Sequence, residues 1–357
     1  MREAYDQLID ALNMRGGAVA SYKCDELYAL LKAMFTPEEA ALCAKMPPMT
    51  SSAEDIAAAG GTSMEQAMGL LESMANKGLV VYRDKNGRRL YAPLPVVPGF
   101  FEFQFMKGTT TERDKELARL FDNYFKVLRD MPRESAKLPG VPFARVITVE
   151  EEIPAGTEVF AYDQVSEYID KAEHITVSAC YCRHHGELVG NPCDKPKNNC
   201  MSFGPSAKFV ADRGFGRLIS KEEARDIIKQ AEEAGLVHCS SNTSKYIDFI
   251  CNCCDCHCGI VQSLKAQQVH FGATSSFMAE VDAQECIACE ECIERCPMDA
   301  LSIEDDVAKR DASKCIGCGL CVSVCSTGAI QMVEREEKKA PPADHRELMT
   351  SMIASMQ

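Results

Sequence analysis

The cysteines of this chain are clustered and periodic, and this arrangement restricts the possible folds more than any other sequence feature. The chain has 357 residues and 20 cysteines, yet only Cys24 and Cys43 lie in the first 179 residues. The last eight cysteines form two runs of identical spacing, Cys286-x-x-Cys289-x-x-Cys292-x-x-x-Cys296 and Cys315-x-x-Cys318-x-x-Cys321-x-x-x-Cys325. A disulfide framework would not leave half the chain bare, so the pattern favours metal ligands.

The two runs resemble the bacterial two-cluster ferredoxin pattern, in which the fourth cysteine of each run binds the cluster of the other run. The internal repeat extends beyond the cysteines, because residues 297–303 echo residues 326–332. The resemblance implies two [4Fe–4S] clusters, one bound by Cys286, Cys289, Cys292 and Cys325, the other by Cys315, Cys318, Cys321 and Cys296. Ser326 replaces the proline that is usual after the last cysteine, which puts a turn in doubt but no ligand. Zinc sites usually use two separated Cys-x-x-Cys pairs and fit this spacing poorly.

A second set of cysteines lies in the middle of the chain. These candidate metal ligands are Cys180, Cys182, Cys193, Cys200, Cys251, Cys253, Cys254, Cys256 and Cys258. Adjacent thiolates repel one another unless a metal or a cluster takes up their charge. We expect one or two further iron–sulfur clusters here, with zinc bound by cysteine and histidine as the alternative. Nine thiols could hold two four-cysteine clusters with one left over, or one cluster and an open or unusual site.

One hypothesis for the division groups Cys182, Cys193 and Cys200 with one cysteine of the 251–258 run, and leaves the rest of that run for a second site. Cys239 stands apart from both groups, and we expect it to be a small buried hydrophobe, as are Cys24 and Cys43.

Charged and titratable residues accompany the middle cysteines. Arg183, Lys195 and Lys197 are expected to offset thiolate charge. For His184, His185 and His257 the simplest expectation is an exposed loop position. The alternative is a cluster ligand or a proton relay, because imidazole titrates near neutral pH.

The N-terminal region is predicted to be helical and to end in a hairpin. Thr36-Pro37-Glu38-Glu39 has the pattern of a helix start, and residues 64–76 have apolar residues at helical spacing. Residues 84–87, Asp-Lys-Asn-Gly, form a hairpin turn signal. Residues 35–95 therefore resemble a winged-helix domain. The second helix has no basic residue before Lys77, which favours an interaction or substrate-capping role over DNA reading.

The predicted architecture is an α+β multidomain protein. It comprises a winged-helix-like helical domain over residues 1–98, a Cys-rich α/β middle domain over 99–279, a dicluster ferredoxin fold over 280–333 and a flexible tail over 334–357. Within the tail, Glu347–Met356 has the pattern of a short docking helix.

Charge and hydropathy restrict the partners. The formal net charge is -14 and the isoelectric point is about 5.1, which argues against nucleic acid as a partner. The sequence has no apolar run long enough to span a membrane and no basic-then-apolar start typical of a secretory signal, so a cytoplasmic location is expected.

The whole chain resembles ferredoxin-type iron–sulfur proteins of anaerobic bacteria, in which a Cys-rich middle domain precedes a two-cluster module. The resemblance implies a subunit or carrier that relays single low-potential electrons to or from a larger oxidoreductase complex, with no catalytic residue of its own. Two alternatives remain open. One is an oxidoreductase with a catalytic iron–sulfur site in the middle domain. The other is a redox-sensing regulator that acts through the winged-helix-like region.

Overall fold

The computed structural model describes residues 2–15, 17, 21–131, 140–155, 157, 163–267, 272–337 and 340–356. Part of the predicted middle domain, including residues 132–139 and 158–162, lies outside these residues. In the described part of the chain, no helix has the length and apolar character needed to cross a membrane.

Helices and one small sheet form the N-terminal region. The helices are α1 (Arg2–Arg15), α2 (Asp25–Met34), α3 (Pro37–Lys45), α4 (Ala53–Gly60) and α5 (Met64–Asn76). Strands β1 (Ser51–Ser52), β2 (Val80–Lys85) and β3 (Arg88–Pro93) pair antiparallel in the order β1-β3-β2. The helix predicted over residues 64–76 is confirmed.

Local signals explain these elements. Thr36 and Glu39 form a capping box at the start of α3, as predicted. The buried Glu39 carboxylate also contacts Lys77 Nζ at 2.7 Å, which ties α3 to the end of α5. Asn86 and Gly87 have φ values of 52° and 74°, the left-handed pair that a tight two-residue hairpin needs. The predicted hairpin is therefore confirmed, whereas the winged-helix assignment stays a prediction.

An aromatic core joins this region to the helices that follow it. Helices α6 (Phe101–Phe105) and α7 (Glu112–Asp130) contribute Phe101, Phe105 and Phe121 to the same apolar cluster as the N-terminal helices. Phe209 and Phe215 of the middle region also belong to it. The core is thus continuous across residue 98, where the domain boundary stays a prediction.

The middle region is built on a seven-stranded sheet. Its strands are β4 (Ala144–Ile147), β5 (Ile175–Ala179), β6 (Asn198–Phe203), β7 (Arg217–Ile219), β8 (Val237–Ser241), β9 (Phe249–Cys253) and β10 (Gly272–Ala273). The order is β10-β4-β8-β9-β6-β5-β7, parallel between β10 and β4 and antiparallel elsewhere. Its helices are α8 (Val165–Lys171), α9 (Tyr181–Leu188), α10 (Gly204–Asp212), α11 (Lys221–Glu233) and α12 (Gly259–Lys265). The mixed α+β class is confirmed.

Strand register brings distant cysteines together. Cys251 and Cys253 are two residues apart on β9 and therefore point to one face of the sheet. Cys239 of β8 pairs directly with Cys251. Cys200 of β6 lies one residue beyond the Met201–Ile250 pair, next to the same part of β9. The sheet thus gathers cysteines from three strands.

The C-terminal module contains two two-stranded antiparallel sheets. Strand β11 (Phe277–Val281) pairs antiparallel with β14 (Ile330–Glu334), and β12 (Leu301–Glu304) pairs with β13 (Val307–Arg310). Helix α13 (Glu291–Arg295) lies within the first cysteine run. Arg145 of β4 and Asp163 form a buried ion pair. Ser276, which directly precedes β11, donates a 2.7 Å hydrogen bond from Oγ to Asp163 and so links this pair to the C-terminal module.

The chain ends in helix α14 (His345–Met356), which docks on the middle region. Leu348 and Met352 are fully buried. The N–H groups of Ser244 and Lys245 donate hydrogen bonds of 2.9 and 3.0 Å to the carbonyls of Pro342 and Ala343. The prediction of a flexible tail is therefore wrong for residues 342–352, and the predicted docking helix is confirmed.

Candidate metal centres

The two cysteine runs of the C-terminal module share one loop conformation. The third residue of each run, Ala288 or Gly317, has a left-handed φ of 53° or 73°. The fifth residue, Glu290 or Gly319, has a φ of 66° or 87°. Glycine adopts this conformation readily, whereas other residues resist it. The repeat is therefore visible in backbone geometry as well as in cysteine spacing.

Each run contributes cysteines to a separate cavity. One cavity is lined by Cys286, Cys289, Cys292 and Cys325. The other is lined by Cys296, Cys315, Cys318 and Cys321. The fourth cysteine of each run therefore faces the cavity of the other run. These are the same two groupings that the ferredoxin resemblance implies.

Backbone N–H groups and burial shape the chemistry of these thiols. The N–H groups of Ala308 and Ala300 donate to the sulfurs of Cys286 and Cys296, both at 3.4 Å. Burial raises the pKa of Cys318 to about 12. Burial also raises the pKa of Cys325, but the N–H of Ile330 and other donors outweigh it and lower the pKa overall. Cavities lined by four cysteines, with N–H donors directed at sulfur, suit [4Fe–4S] clusters.

The two cavities have different surroundings. The cavity lined by Cys318 abuts the middle region, where the N–H of Val149 donates to the Cys318 carbonyl at 3.0 Å. Thr148 Oγ1 donates to the Gly317 carbonyl at 2.8 Å. The other cavity lies at the surface, because Cys289 is exposed and the side chain of Ile287 is 64% exposed. We call these the inner and the outer cavity.

Six cysteines of the middle region form a closed ring of neighbouring thiols, which we call the six-thiol ring. In order around the ring they are Cys180, Cys182, Cys258, Cys253, Cys251 and Cys200, each in hydrogen-bond contact with the next. Cys180 and Cys258 immediately precede α9 and α12. Cys239 is buried and contacts Cys253, so the prediction that it stands apart is wrong.

Hydrogen bonding alternates around the six-thiol ring. Bonds from neighbouring thiols lower the pKa of Cys180, Cys251 and Cys258. The same bonds raise the pKa of the three members between them. The hydrogen bonds within the ring thus favour thiolates at some of its sulfurs.

Arg183 supplies a buried positive charge beside this ring. Its guanidinium is fully buried and donates to Asn199 Oδ1 at 2.6 Å and to the Asn252 carbonyl at 3.1 Å. Burial lowers its pKa, but the nearby Cys180 and Cys200 thiols outweigh burial, so the pKa is raised. A buried cation is tolerable only with opposite charge nearby. The ring provides that charge.

Lys195 and Lys197, which the sequence predicts to offset thiolate charge, make their hydrogen bonds elsewhere. Lys195 Nζ donates to the Ala234 carbonyl at 2.7 Å, and Lys197 Nζ binds Glu187 at 2.6 Å. The expectation of charge offset is therefore correct for Arg183 and wrong for both lysines.

A second, smaller group lies next to the ring. The ligand atoms of Cys193, Cys254, Cys256 and His257 all lie within 4.8 Å of one another. Cys193 Sγ is 3.4 Å from Cys256 Sγ. The predicted grouping of Cys193 with Cys182 and Cys200 is therefore wrong, because the latter two belong to the six-thiol ring.

The three histidines have separate environments. His184 is buried, with Nε2 2.8 Å from the Thr109 carbonyl. His185 Nε2 is 3.1 Å from the Ala118 carbonyl, and its ring packs edge-on against Phe101 and Phe105. The expectation of exposed loop positions is wrong for both. Of the three, His257 alone belongs to the group around Cys193.

Two further residues beside the ring were not identified from the sequence. Tyr181 Oη lies 3.8 Å from Cys251 Sγ. Burial raises the pKa of the Glu102 carboxyl to about 7, and the charge of Cys251 adds to this rise. The position of Tyr181 between two cysteines is a usable signal. Glu102 comes from another part of the chain, and only the fold brings it here.

Comparison with known proteins identifies the C-terminal module. Residues 279–332 match the family model of a 4Fe-4S dicluster domain, and residues 314–352 match a second 4Fe-4S dicluster domain model. No curated protein and no solved structure matches the chain. The C-terminal part is therefore of the dicluster ferredoxin type, as predicted, and this class of domain indicates iron–sulfur electron transfer.

Proposed function

We propose that this chain is an electron-transfer protein that carries single electrons between its C-terminal module and an iron–sulfur centre in the six-thiol ring, in the service of a larger redox enzyme. One observation carries the proposal. A single apolar cluster contains ring members such as Cys200 and Cys251 together with Ile316 and Leu320 of the inner-cavity loop. Inner-cavity cysteines Cys296, Cys315 and Cys318 pack against the same cluster.

The ligand sets follow from the two cavities. Cys286, Cys289, Cys292 and Cys325 would hold the outer cluster, and Cys296, Cys315, Cys318 and Cys321 would hold the inner one. When bound, such clusters supply one-electron exchange. The protein itself supplies N–H donors to the sulfurs and, around the inner cavity, burial, and both tune the potential.

The outer cavity is the proposed contact point for a redox partner. Cys289 is exposed there, beside the exposed apolar side chain of Ile287. The exposed residues Glu285, Glu290 and Glu291 lie in the same stretch of sequence. An apolar centre with an acidic rim suits a partner with a basic docking face, whose approach would be accelerated by charge and slowed by salt.

The six-thiol ring is the proposed site of one additional iron–sulfur centre. Five of its six cysteines are buried and Cys182 is partly buried, and the Arg183 guanidinium supplies a positive charge beside them. Four cysteine ligands suffice for one cubane, so the ring has two more than that requires. We therefore expect about twelve irons per chain, rather than the roughly eight of a dicluster module alone.

Helix α6 is proposed to cover the ring, and the N-terminal region to pack on the middle region beside it. Phe101 packs edge-on against Tyr181, whose hydroxyl faces Cys251. The hairpin is engaged with the middle region through Tyr82, which donates to Asp212 at 3.1 Å. Glu72 of α5 pairs with Arg213 at 2.7 Å. These contacts favour a structural covering role over DNA reading, since they occupy part of the helix and hairpin that a regulator would present.

The test is to count redox centres in anaerobically purified full-length protein. Iron, acid-labile sulfide and electron paramagnetic resonance are measured for the wild type, for Cys182→Ser and for Cys325→Ser, with Cys24→Ser as a cysteine control far from every centre. Cys182→Ser should alter or abolish only the signal of the additional centre, since the ring has two thiols more than a cubane needs, and Cys325→Ser should lose only the outer cluster. A wild type with about eight irons, and a Cys182→Ser spectrum identical to it, would refute the proposal.

A further inference from the structure

We propose that Cys193, Cys254, Cys256 and His257 form a mononuclear Zn²⁺ site, distinct from the six-thiol ring and from both cavities of the C-terminal module. The inference does not depend on the electron-transfer proposal, because it concerns another set of residues. Three cysteines and one histidine are a common ligand set for structural zinc, whereas cubanes generally take four cysteines.

The compactness of the group fits a single ion. A tetrahedral zinc ion with Zn–S bonds of about 2.3 Å holds its sulfurs about 3.8 Å apart. Here Cys193 Sγ and Cys256 Sγ are 3.4 Å apart, and all four ligand atoms lie within 4.8 Å of one another. A small inward or outward adjustment of these side chains would complete a tetrahedron.

The histidine is oriented as zinc-binding histidines are. His257 Nε2 lies 2.8 Å from the Asn191 carbonyl, which can only accept, so Nε2 carries the proton. Nδ1 then has a free lone pair, and it lies 3.1 Å from Cys256 Sγ. A backbone carbonyl that fixes the tautomer in this way is the usual outer partner of a metal-bound imidazole.

Surrounding contacts hold the group in place. Gln262 Nε2 donates to the Cys256 carbonyl at 2.6 Å, and the Cys258 N–H donates to the Cys254 carbonyl at 3.3 Å. A Cβ on Gly186 would lie 2.5 Å from His257 Nε2 and 2.8 Å from the Asn191 carbonyl. The imidazole therefore occupies space that only glycine leaves open on α9.

The charges also match. Three thiolates and one Zn²⁺ give a net charge of -1, and the buried Arg183 guanidinium is hydrogen-bonded to Cys254. All four coordination positions are filled by the protein, so the ion has no open position for substrate and its role is structural. The ion would cross-link the loop after α9, which carries Cys193, to the loop after β9.

The experiment measures zinc and iron per chain in anaerobically purified full-length protein, together with X-ray absorption at the zinc edge. We expect one zinc per chain with three sulfur neighbours and one nitrogen. Cys256→Ser should lose the zinc and keep the iron, and Cys24→Ser should keep both. Absence of zinc from the wild type, or zinc retained in Cys256→Ser with an unchanged absorption spectrum, would overturn the proposal.

Two further variants keep the test decisive if Cys256→Ser fails to fold. Gly186→Ala, which removes no ligand, should lower zinc affinity about 10- to 100-fold in chelator competition. His257→Cys should retain zinc and change its neighbours to four sulfurs. An unchanged affinity in the first variant, or a retained nitrogen neighbour in the second, would rule out His257 as the ligand. Loss of four irons rather than one zinc would instead assign these cysteines to a cluster.

Discussion

Gly317 lies in the inner-cavity loop, and Gly328, which lies after Cys325, is a matched control for the effect of adding a Cβ there. Both residues have a left-handed backbone, with φ values of 73° and 70°. A Cβ on Gly328 would meet no atom within 4 Å. A Cβ on Gly317 would lie 2.0 Å from the Phe277 carbonyl oxygen and 2.5 Å from Ser275 Oγ. Alanine at either position therefore has the cost of a left-handed backbone, but only alanine at position 317 also has a steric clash.

The magnitudes follow from these contacts. A left-handed backbone costs a residue with a Cβ about 1–2 kcal/mol, which is the whole expected cost of Gly328→Ala. Gly317→Ala adds overpacking against backbone, about 1–3 kcal/mol. Moving the loop also strains the hydrogen bonds that Thr148 and Ser275 donate to the Gly317 carbonyl at 2.8 and 2.9 Å, each about 1 kcal/mol. Gly317→Ala should therefore cost about 4–7 kcal/mol if both hydrogen bonds are lost.

The assay is anaerobic guanidinium unfolding, followed by circular dichroism and by the visible absorption of the clusters. The midpoint should fall much further for Gly317→Ala than for Gly328→Ala, and cluster absorption should be lost before secondary structure in the former. Equal shifts would mean that φ alone decides the residue at both positions. No shift in either variant would refute the strain argument altogether.

Three other perturbations have defined outcomes. Ala288 occupies the position in the first run that matches Gly317. Ala288→Gly should leave stability unchanged or raise it by up to about 1 kcal/mol, since relief of the left-handed φ exceeds or balances the backbone entropy that glycine loses on folding. A lower unfolding midpoint would contradict this. Asp163→Asn removes the buried carboxylate that pairs with Arg145 and should cost about 3–5 kcal/mol in unfolding free energy, whereas Asp170→Asn, in an exposed pair with Arg225, should cost at most about 1 kcal/mol. The Glu102 carboxyl has a folded pKa of about 7 against an ordinary 4.5, so the folded state keeps its proton longer and stability falls as pH rises between these values. The unfolding free energy of Glu102→Gln should match that of the wild type near about pH 4 and exceed it by up to about 3 kcal/mol above about pH 7. Denaturation curves at several pH values measure this difference, and a constant difference would show that the carboxyl does not titrate in this range.

Elements encoded by neighbouring residues could be predicted from the sequence. The capping box at Thr36, the hairpin turn at Asn86 and Gly87, and the start of α11 at Ser220 each depend on residues within a few positions of one another. The cysteine runs of the C-terminal module are local in the same sense, because each loop carries three of its cysteines within seven residues.

The middle centres depend on long-range pairing and could not be divided correctly from spacing. Cys200 meets Cys251 only because β6 and β9 are neighbours in the sheet, and Cys193 meets Cys256 only because the loops after α9 and β9 lie together. Cys239 looks isolated in sequence, yet the register of β8 pairs it with Cys251. Histidines next to cysteines suggested loop positions, whereas His184 and His185 lie on a helix whose inner face packs on α6 and α7.

The density of cysteines over residues 253–258 is explained if they serve the two proposed centres at once. Cys253 and Cys258 belong to the six-thiol ring, whereas Cys254 and Cys256 belong to the neighbouring group with His257. Consecutive residues of a strand end point to opposite sides, so one short segment can bind on both. Arg183 lies between the two sulfur groups and hydrogen-bonds to Cys254 while facing Cys180 and Cys200. Because each centre fixes the backbone that presents ligands to the other, a metal at the smaller site would hold the larger one in register without taking part in electron exchange.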